Sequence, residues 1–145
     1  MNAEIMTKAE KIVAAASRHT APENSEPYCV LALIDDEGYP TASTITPSRA
    51  EGLRRLTFCT GLESDKAKRI MKCGRAAVCF NSAAHNVTLV GTIEVVTAPE
   101  VKKEMWYDDL SFHFSGPEDP GYCVLRFTAR RYNLFVDWQE IKGEF

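Results

Sequence analysis

The stretch from Thr60 to Ile70, TGLESDKAKRI, places two hydroxyl groups and an ammonium group just before a helical pattern. It follows LRRLTFC, in which polar and apolar residues alternate as they do in a strand. A helix that starts at Ser64 exposes unpaired backbone N–H groups and the positive end of its dipole. Thr60 and Ser64 add hydroxyl donors and Lys66 adds a positive charge, so the stretch predicts a site for an anion such as phosphate.

A second interpretation of this stretch stays open. Ser64 can cap its own helix and do nothing more, with Lys66 as a solvated surface residue. Strands followed by a turn and a helix with Ser and Lys are common, and the sequence has no glycine-rich phosphate loop. The residues of the stretch alone therefore do not decide between the two interpretations.

Length and composition are typical of one soluble globular domain. The chain has 145 residues, of which 45% are hydrophobic and 26% are charged. Charged residues interrupt the N-terminal segment MNAEIMTKAEKIVAAASRH, which predicts an amphipathic helix and not a signal peptide. Since no segment has the roughly 18 consecutive apolar residues that span a membrane, we expect a cytoplasmic protein without a membrane partner.

Charge, cysteines and histidines exclude several classes of protein. A net charge of −3 argues against general nucleic-acid binding, and a single-strand binder would need basic grooves beyond the two arginine pairs in LRR and ARR. The three histidines are far apart and predict no metal site. The cysteines are scattered and odd in number, which predicts reduced thiols; four lie in strand patterns and are expected to pack in the core: Cys29, Cys59, Cys79 and Cys123.

The pattern of elements predicts a mainly β chain with three modest helices. Six or seven strands are separated by short turns, one of them PSRAEG, and Gly91 is expected to mark a bulge or a sharp bend in the strand HNVTLVGTIEVVT. Thr97–Glu100 fits a capping box that opens a helix, and YCVLRFTARRYNLFVDW predicts two strands joined near 129–131. Such short connections favour an antiparallel sheet, closed or nearly closed into a small barrel with an N-terminal helix and peripheral helices.

Five segments, in this order and spacing, carry a family resemblance: DDEGYPTASTI, FCTGLESDKAKRI, LVGTIEVV, KKEMW and GPEDPGYCVLRF. From Val30 to about Trp138 the chain resembles the pyridoxamine 5'-phosphate oxidase-like split barrels that bind flavin mononucleotide (FMN), especially the general stress protein 26 branch. The resemblance implies an antiparallel split barrel that forms a single domain over residues 1–145. The N-terminal helix would occupy residues 1–20 and the barrel residues 28–138.

The resemblance also implies where FMN would bind. It places the phosphate and ribityl chain at Cys59, Thr60, Ser64 and Lys66, and the isoalloxazine ring along Ser43, Thr44, Ile45 and Thr46. It adds an amide that touches the ring, Asn86, and an aromatic side chain from a neighbouring subunit, Trp106. Two alternatives stay open: Asn86 as a turn residue that opens its strand, and Trp106 as a packing residue.

Two positions depart from the family pattern. The oxidases often have arginine where this chain has Ser43, and a basic residue where it has Asp65. A unit charge about 4 Å from a phosphate is worth about 4 kcal/mol at an effective dielectric near 20, before desolvation. We therefore expect weaker phosphate binding, unless another cation compensates; the candidates are Arg49, Lys68 and Arg69.

The resemblance implies an FMN-dependent oxidoreductase that acts on a small-molecule substrate and works as a homodimer. Catalytic residues stay unknown, because hydride chemistry belongs to the cofactor. The chain is not expected to oxidise pyridoxine phosphate, since its end, DWQEIKGEF, is acidic and lacks the basic segment of the true oxidases. The alternative is a non-catalytic, stress-associated flavin-binding protein, which turnover with a nicotinamide nucleotide would distinguish.

Overall fold

The computed structural model describes residues 2–145. Its helices are α1 (Asn2–Ala15), α2 (Asp65–Lys72), α3 (Pro99–Met105) and a 3-10 helix (Asp108–Phe112). Its strands are β1 (Cys29–Ile34), β2 (Pro40–Ile45), β3 (Pro47–Glu51), β4 (Arg55–Gly61), β5 (Arg75–Asn81), β6 (His85–Val96), β7 (Tyr122–Val136) and β8 (Gln139–Glu144). In this part of the chain, no helix is long and apolar enough to cross a membrane.

All strands belong to one antiparallel sheet, in the order β2-β1-β5-β6-β7-β4-β3, with β8 paired to the distal half of β7. The two strands at the ends of this order, β2 and β3, are consecutive in the chain and are joined through Thr46. The sheet therefore curls until its two edges meet at Thr46. This arrangement confirms the predicted mainly β, antiparallel split barrel.

The core fills the inside of the curled sheet because alternate strand residues point inward. Leu31, Phe58, Leu89 and Phe127 are among the inward side chains, and all are fully buried. The N-terminal helix covers this core with three buried residues spaced by four: Ile5, Ala9 and Val13. A smaller core on the outer face joins α3 and the 3-10 helix to β7, through Met105, Leu110, Tyr122 and Val124.

Strand pairing overturns three of the expectations about local structure. Of the segment PSRAEG, Pro47–Glu51 forms β3 and only Gly52 lies in a turn, because pairing with β4 satisfies the backbone groups of the other five residues. The segment predicted as two strands is the single strand β7, and the register shift near Arg130 bends it without ending it. The polar segment Gln139–Glu144 forms β8 on the edge of β7, so the sheet extends beyond residue 138.

The expected capping box at Thr97 is also wrong. Ala98 is the N-cap of α3, and no side chain caps this helix. Pro99 at the first helical position fixes a helical φ and needs no N–H partner, so the helix starts without a hydroxyl cap.

The five thiols are free, but only some of them pack in the core. Cys29 and Cys123 are buried as expected, and burial raises the pKa of Cys123 to about 11. Cys59 and Cys79 are only partly buried. Cys79 pairs with Val30 and Thr88 on the outer face of the sheet, so its expected place in the core is wrong.

Candidate functional site

The candidate site lies where the barrel is split. Strand β4 continues beyond β3, whose first pair joins Pro47 to Phe58. Within residues 2–145, the segment Cys59–Gly61 therefore has a strand neighbour only on the β7 side. Its free edge, together with Ile45 and Thr46, lines a cavity of about 380 Å³.

Two hydroxyl groups are held together beside this cavity. The Thr60 hydroxyl donates to Ser64 Oγ at 3.4 Å. Ser64 is the N-cap of α2, and its Oγ accepts the backbone N–H of Ala67 at 3.2 Å. The two interpretations of this stretch are therefore compatible, because the residue that caps the helix is also bonded to a residue that lines the cavity.

Lys66 lies in the first turn of the same helix and is partly buried. Among the described residues, it makes no ion pair and no side-chain hydrogen bond, and it does not line the cavity. Its charge is therefore not neutralised by a carboxylate of this chain, and the first turn of α2 retains a positive group near the paired hydroxyls.

Of the three cations named as candidates to compensate for the missing basic residues, one reaches β2. Arg49 binds Glu104 at 2.7 Å, and Lys68 lies 3.7 Å from Glu63. Arg69 instead donates to Thr41 Oγ1 at 3.3 Å.

Thr41 and Ser43 share a face of β2, because residues two apart point to the same side of a strand. Arg69 therefore contacts the face of β2 that carries Ser43. Ser43 is the position at which the oxidases often have arginine.

Of the four predicted site residues on or next to strand β2, two line the cavity. Ile45 and Thr46 lie in the cavity wall, and the Thr46 hydroxyl donates to the Pro27 carbonyl at 2.8 Å, which fixes the bend into β3. Ser43 and Thr44 are exposed further along the strand and point to opposite faces. Of the ten predicted site residues, the cavity thus brings together Ile45, Thr46, Cys59 and Thr60.

Asn86 and Trp106 lie outside this cavity in the single chain. Asn86 is exposed at the start of β6, three strand spacings from β2, or roughly 14 Å. Its Oδ1 accepts hydrogen bonds from Thr88 and Cys79. Trp106 packs edge-to-face on Tyr122, with ring centroids 5.4 Å apart, which favours the packing interpretation. A contact of either residue with a flavin of a neighbouring subunit stays a prediction.

The opposite wall of the cavity comes from the 3-10 helix and its flanks, which sequence reasoning missed. Tyr107, Leu110, His113 and Phe114 line it. The sequence feature that could have indicated this wall is the aromatic run MWYDDLSFHF. A loop of this kind has no periodicity from which the direction of its side chains could be predicted. These residues give the cavity an apolar wall and one imidazole.

Cys59, on the β4 edge of the cavity, is held as a neutral thiol. Its Sγ donates to the Met105 carbonyl at 3.3 Å and lies 3.5 Å from the Tyr122 hydroxyl. Burial raises the pKa of Cys59, and the contacts with the Tyr122 and Ser48 hydroxyl groups act in the opposite direction. A thiol with a raised pKa is a poor nucleophile at neutral pH, so this geometry favours packing over covalent catalysis.

Tyr122 ties α3 to the sheet, and we expect its hydroxyl to contribute to stability. The hydroxyl donates to the Lys102 carbonyl at 2.8 Å in a fully buried position. Tyr122→Phe should therefore lower the free energy of unfolding by about 1–2 kcal/mol, measured by urea denaturation. Tyr28→Phe, at a tyrosine that is 52% exposed, is the control and should change nothing. Equal stabilities of the two variants would contradict this prediction.

A comparison with protein families decides the relationship. The sequence model of the family described as pyridoxamine 5'-phosphate oxidase matches residues 16–135, which is most of the chain. The chain belongs to the pyridoxamine 5'-phosphate oxidase family. No curated protein matches it.

Several solved structures share the fold of this chain. A Clostridium acetobutylicum protein related to general stress protein 26 of Bacillus subtilis has a TM-score of 0.82 and 20% identity, over 100% of this chain and 97% of that one. A pyridoxamine 5'-phosphate oxidase-related, FMN-binding protein from Nostoc punctiforme has a TM-score of 0.66 and 15% identity, over 99% and 95% of the chains. A heme-binding protein from Mycobacterium smegmatis has a TM-score of 0.71 and 16% identity, over 96% of this chain and 57% of that one.

Proposed function

We propose that this member of the family binds FMN in the split of the barrel and acts as an FMN-dependent oxidoreductase on a small substrate. The observation that carries the proposal is the hydrogen-bonded pair Thr60–Ser64, which joins a cavity wall to a helix N-terminus. Hydroxyl donors, free helix N–H groups and the unpaired Lys66 form a donor set that suits a phosphate dianion. FMN binding by the Nostoc relative supports the choice of ligand.

Different residues of this chain would contact different parts of the cofactor. Thr60, Ser64 and Lys66 would hold the phosphate, while Ile45 and Thr46 would lie beside the rest of the nucleotide. When bound, FMN supplies hydride transfer, and the protein holds, orients and shields it.

The apolar wall has a separate role in the proposal. Leu110 and Phe114 would exclude water from this side, and Cys59 would stay protonated. His113 contributes the imidazole of this wall.

Asp65 weakens this phosphate site, and its replacement should strengthen FMN binding. Asp65 is exposed in the first turn of α2, next to Ser64 and Lys66. Asp65→Arg should raise FMN affinity by about three- to tenfold, because an anion near the phosphate is exchanged for a cation in a partly screened position. Glu37→Arg, the same charge change in the β1–β2 turn, is the control. The measurement is quenching of FMN fluorescence, and an equal gain in both variants would contradict a local effect.

We extend the proposal to a homodimer that pairs through the outer face of the sheet. On β1, β2, β5 and β6 this face carries small and apolar side chains, most of them partly buried: Val30, Ala32, Ile34, Ala42, Ala77, Cys79 and Val90. Thr44 and Asn86 lie on the same face, so pairing here would place predicted ring residues at the interface. Val30→Lys should give a monomer in sedimentation analysis, whereas Lys142→Glu, on the exposed edge strand β8, should not.

The visible spectrum of the purified protein tests the cofactor. We expect flavin absorption, release of FMN on denaturation, and bleaching by a nicotinamide nucleotide followed by reoxidation with an acceptor. Flavin without turnover would favour the non-catalytic stress-associated alternative. A colourless protein that rejects FMN, or a Soret band of haem, would contradict FMN binding. The proposal includes a cytoplasmic location, which the five free thiols support.

A further inference from the structure

The outer face of the sheet carries a second cavity, of about 480 Å³, which we call the arginine cavity. Its floor is one row across four strands, in which Arg55 pairs with Thr128, Thr128 with Thr92, and Thr92 with Arg75. Because directly paired residues point to the same side of a sheet, these four side chains share one face. Four of the residues next to this row along the chain are buried on the inner face: Leu56, Ala76, Ile93 and Phe127.

Three arginines on different strands line the arginine cavity. Arg55 and Arg75 are three strand spacings apart, or roughly 14 Å. Arg126 also lines the cavity, two residues along β7 from Thr128. The three arginines line one cavity together with Thr92 and Thr128, and each guanidinium presents a planar fork of donors that matches a phosphate.

Positive charge dominates the arginine cavity although the whole chain has a net charge of −3. Glu94 is the carboxylate in its lining, and it lies 3.6 Å from Arg126. Arg55 lies 3.6 Å from Glu51, which is outside the lining. Among residues 2–145, Arg75 makes no ion pair, so its charge remains available to a ligand.

We propose that the arginine cavity binds a small phosphate-bearing molecule, such as a phosphate monoester or a diphosphate. The site is separate from the proposed flavin site, because Arg55 lies five residues from Thr60 on β4, or roughly 17 Å. No aromatic side chain lines it, whereas binding of single-stranded nucleic acid relies on stacking of bases on aromatic rings. This proposal does not depend on FMN binding.

Cys73 provides a built-in reporter for this site. It lines the cavity and is partly exposed. The backbone N–H of Arg75, followed by its guanidinium, lowers the pKa of the Cys73 thiol. A bound phosphate that engages Arg75 would draw the guanidinium away and add negative charge. The pKa of Cys73 would then rise, and alkylation of this thiol at neutral pH would slow.

Titration of the full chain with inorganic pyrophosphate, followed by amide NMR shifts, tests the proposal. We expect saturable shifts at Arg55, Arg75 and Thr92, and a matching decrease in the rate of alkylation of Cys73 by iodoacetamide. Arg75→Gln should weaken pyrophosphate binding by about tenfold, since it removes a charge-assisted contact. Arg131→Gln is the control, because it makes the same charge change on β7 outside the cavity.

Four outcomes would overturn the proposal. The first is the absence of saturable shifts at millimolar pyrophosphate. The second is an equal loss of affinity in Arg75→Gln and Arg131→Gln, which would indicate a diffuse field. The third is shifts confined to Thr60 and Ser64, which would place the anion in the flavin site. The fourth is tighter binding of a short single-stranded oligonucleotide at this face than of pyrophosphate, which would assign the arginines to nucleic acid.

Discussion

Replacing Lys66 with methionine should weaken FMN binding by about a hundredfold and leave riboflavin binding nearly unchanged. An ammonium about 4 Å from a phosphate is worth about 4 kcal/mol at an effective dielectric near 20, before the cost of desolvation. A net loss of about 2.7 kcal/mol corresponds to a hundredfold change in Kd. Riboflavin lacks the phosphate, so the comparison isolates the contribution of Lys66 to that group. Fluorescence titrations with both flavins measure the two affinities.

Lys68→Met is the matched control for this experiment. It removes the same charge from the same helix, but Lys68 is exposed and lies 3.7 Å from Glu63. Its FMN affinity should change by less than about threefold, as expected for an exposed charge screened by solvent. Equal losses in the two variants would show that Lys66 acts only through the general field of α2. An unchanged affinity of Lys66→Met would place the phosphate elsewhere and contradict the proposed site.

The sequence was sufficient to predict those parts of the fold that depend on local pattern. Alternation of apolar residues predicts most of the strands. The helical spacing of Ile5, Ala9, Ile12, Val13 and Ala16 predicts the apolar face of the N-terminal helix, of which Ile5, Ala9 and Val13 are buried. Ser64 could be recognised as a helix start because its side-chain oxygen is suited to bond the N–H three residues later, as it does. Gly91 was expected to mark a bulge or a sharp bend in β6. The register shift does lie beside Gly91, but the extra residue is Arg130 on β7.

Elements that depend on a distant partner could not be predicted in the same way. The segment Gln139–Glu144 is polar, and its strand conformation depends on the edge of β7 that it pairs with. Pro47–Glu51 carries turn-forming residues, yet its pairing with β4 holds it as a strand. In both segments the tertiary contact outweighs the local preference of the residues.

In the candidate site, too, contacts between residues close in sequence could be predicted and contacts between distant residues could not. Thr60 and Ser64 are four residues apart, so their contact follows from a local turn that a sequence pattern can describe. The contact of Arg69 with Thr41 joins residues 28 positions apart. Knowledge of which face of α2 lies against β2 was needed to choose Arg69 over Lys68. The cavity wall at Tyr107 and His113 likewise depends on how the 3-10 helix packs on β7.

The row of residues on the floor of the arginine cavity depends on the register of the strands, so it could not be predicted from the sequence. Arg55, Arg75 and Arg126 are spread over more than seventy positions, and no spacing rule connects them. Antiparallel pairing aligns the first two with Thr92 and Thr128 in one row. A shift of one residue in any of the three pairings would turn part of the row into the core.

The same register explains why Gly91→Ala should destabilise the protein strongly. A Cβ at Gly91 would lie 2.0 Å from the Thr128 carbonyl oxygen and 3.0 Å from the Cα of Ala129. Both are backbone atoms of β7, so no flexible side chain can move aside, and β6 and β7 would have to separate. We expect a loss of at least about 3 kcal/mol, at the upper end of the range for overpacking. Thermal unfolding should show a Tm lower by roughly 10 °C.

Gly116→Ala tests whether this effect comes from the close approach of the strands. An added Cβ at Gly116 meets no atom within 4 Å, so this variant should keep the parent Tm within about 2 °C. Because Gly91 pairs with Ala129 beside the row of Thr92 and Thr128, the strained variant should also lose pyrophosphate binding before it unfolds. A Tm of Gly91→Ala equal to that of Gly116→Ala would mean that β6 and β7 are farther apart at the bulge. The shared row that forms the floor of the arginine cavity would then be wrong as well.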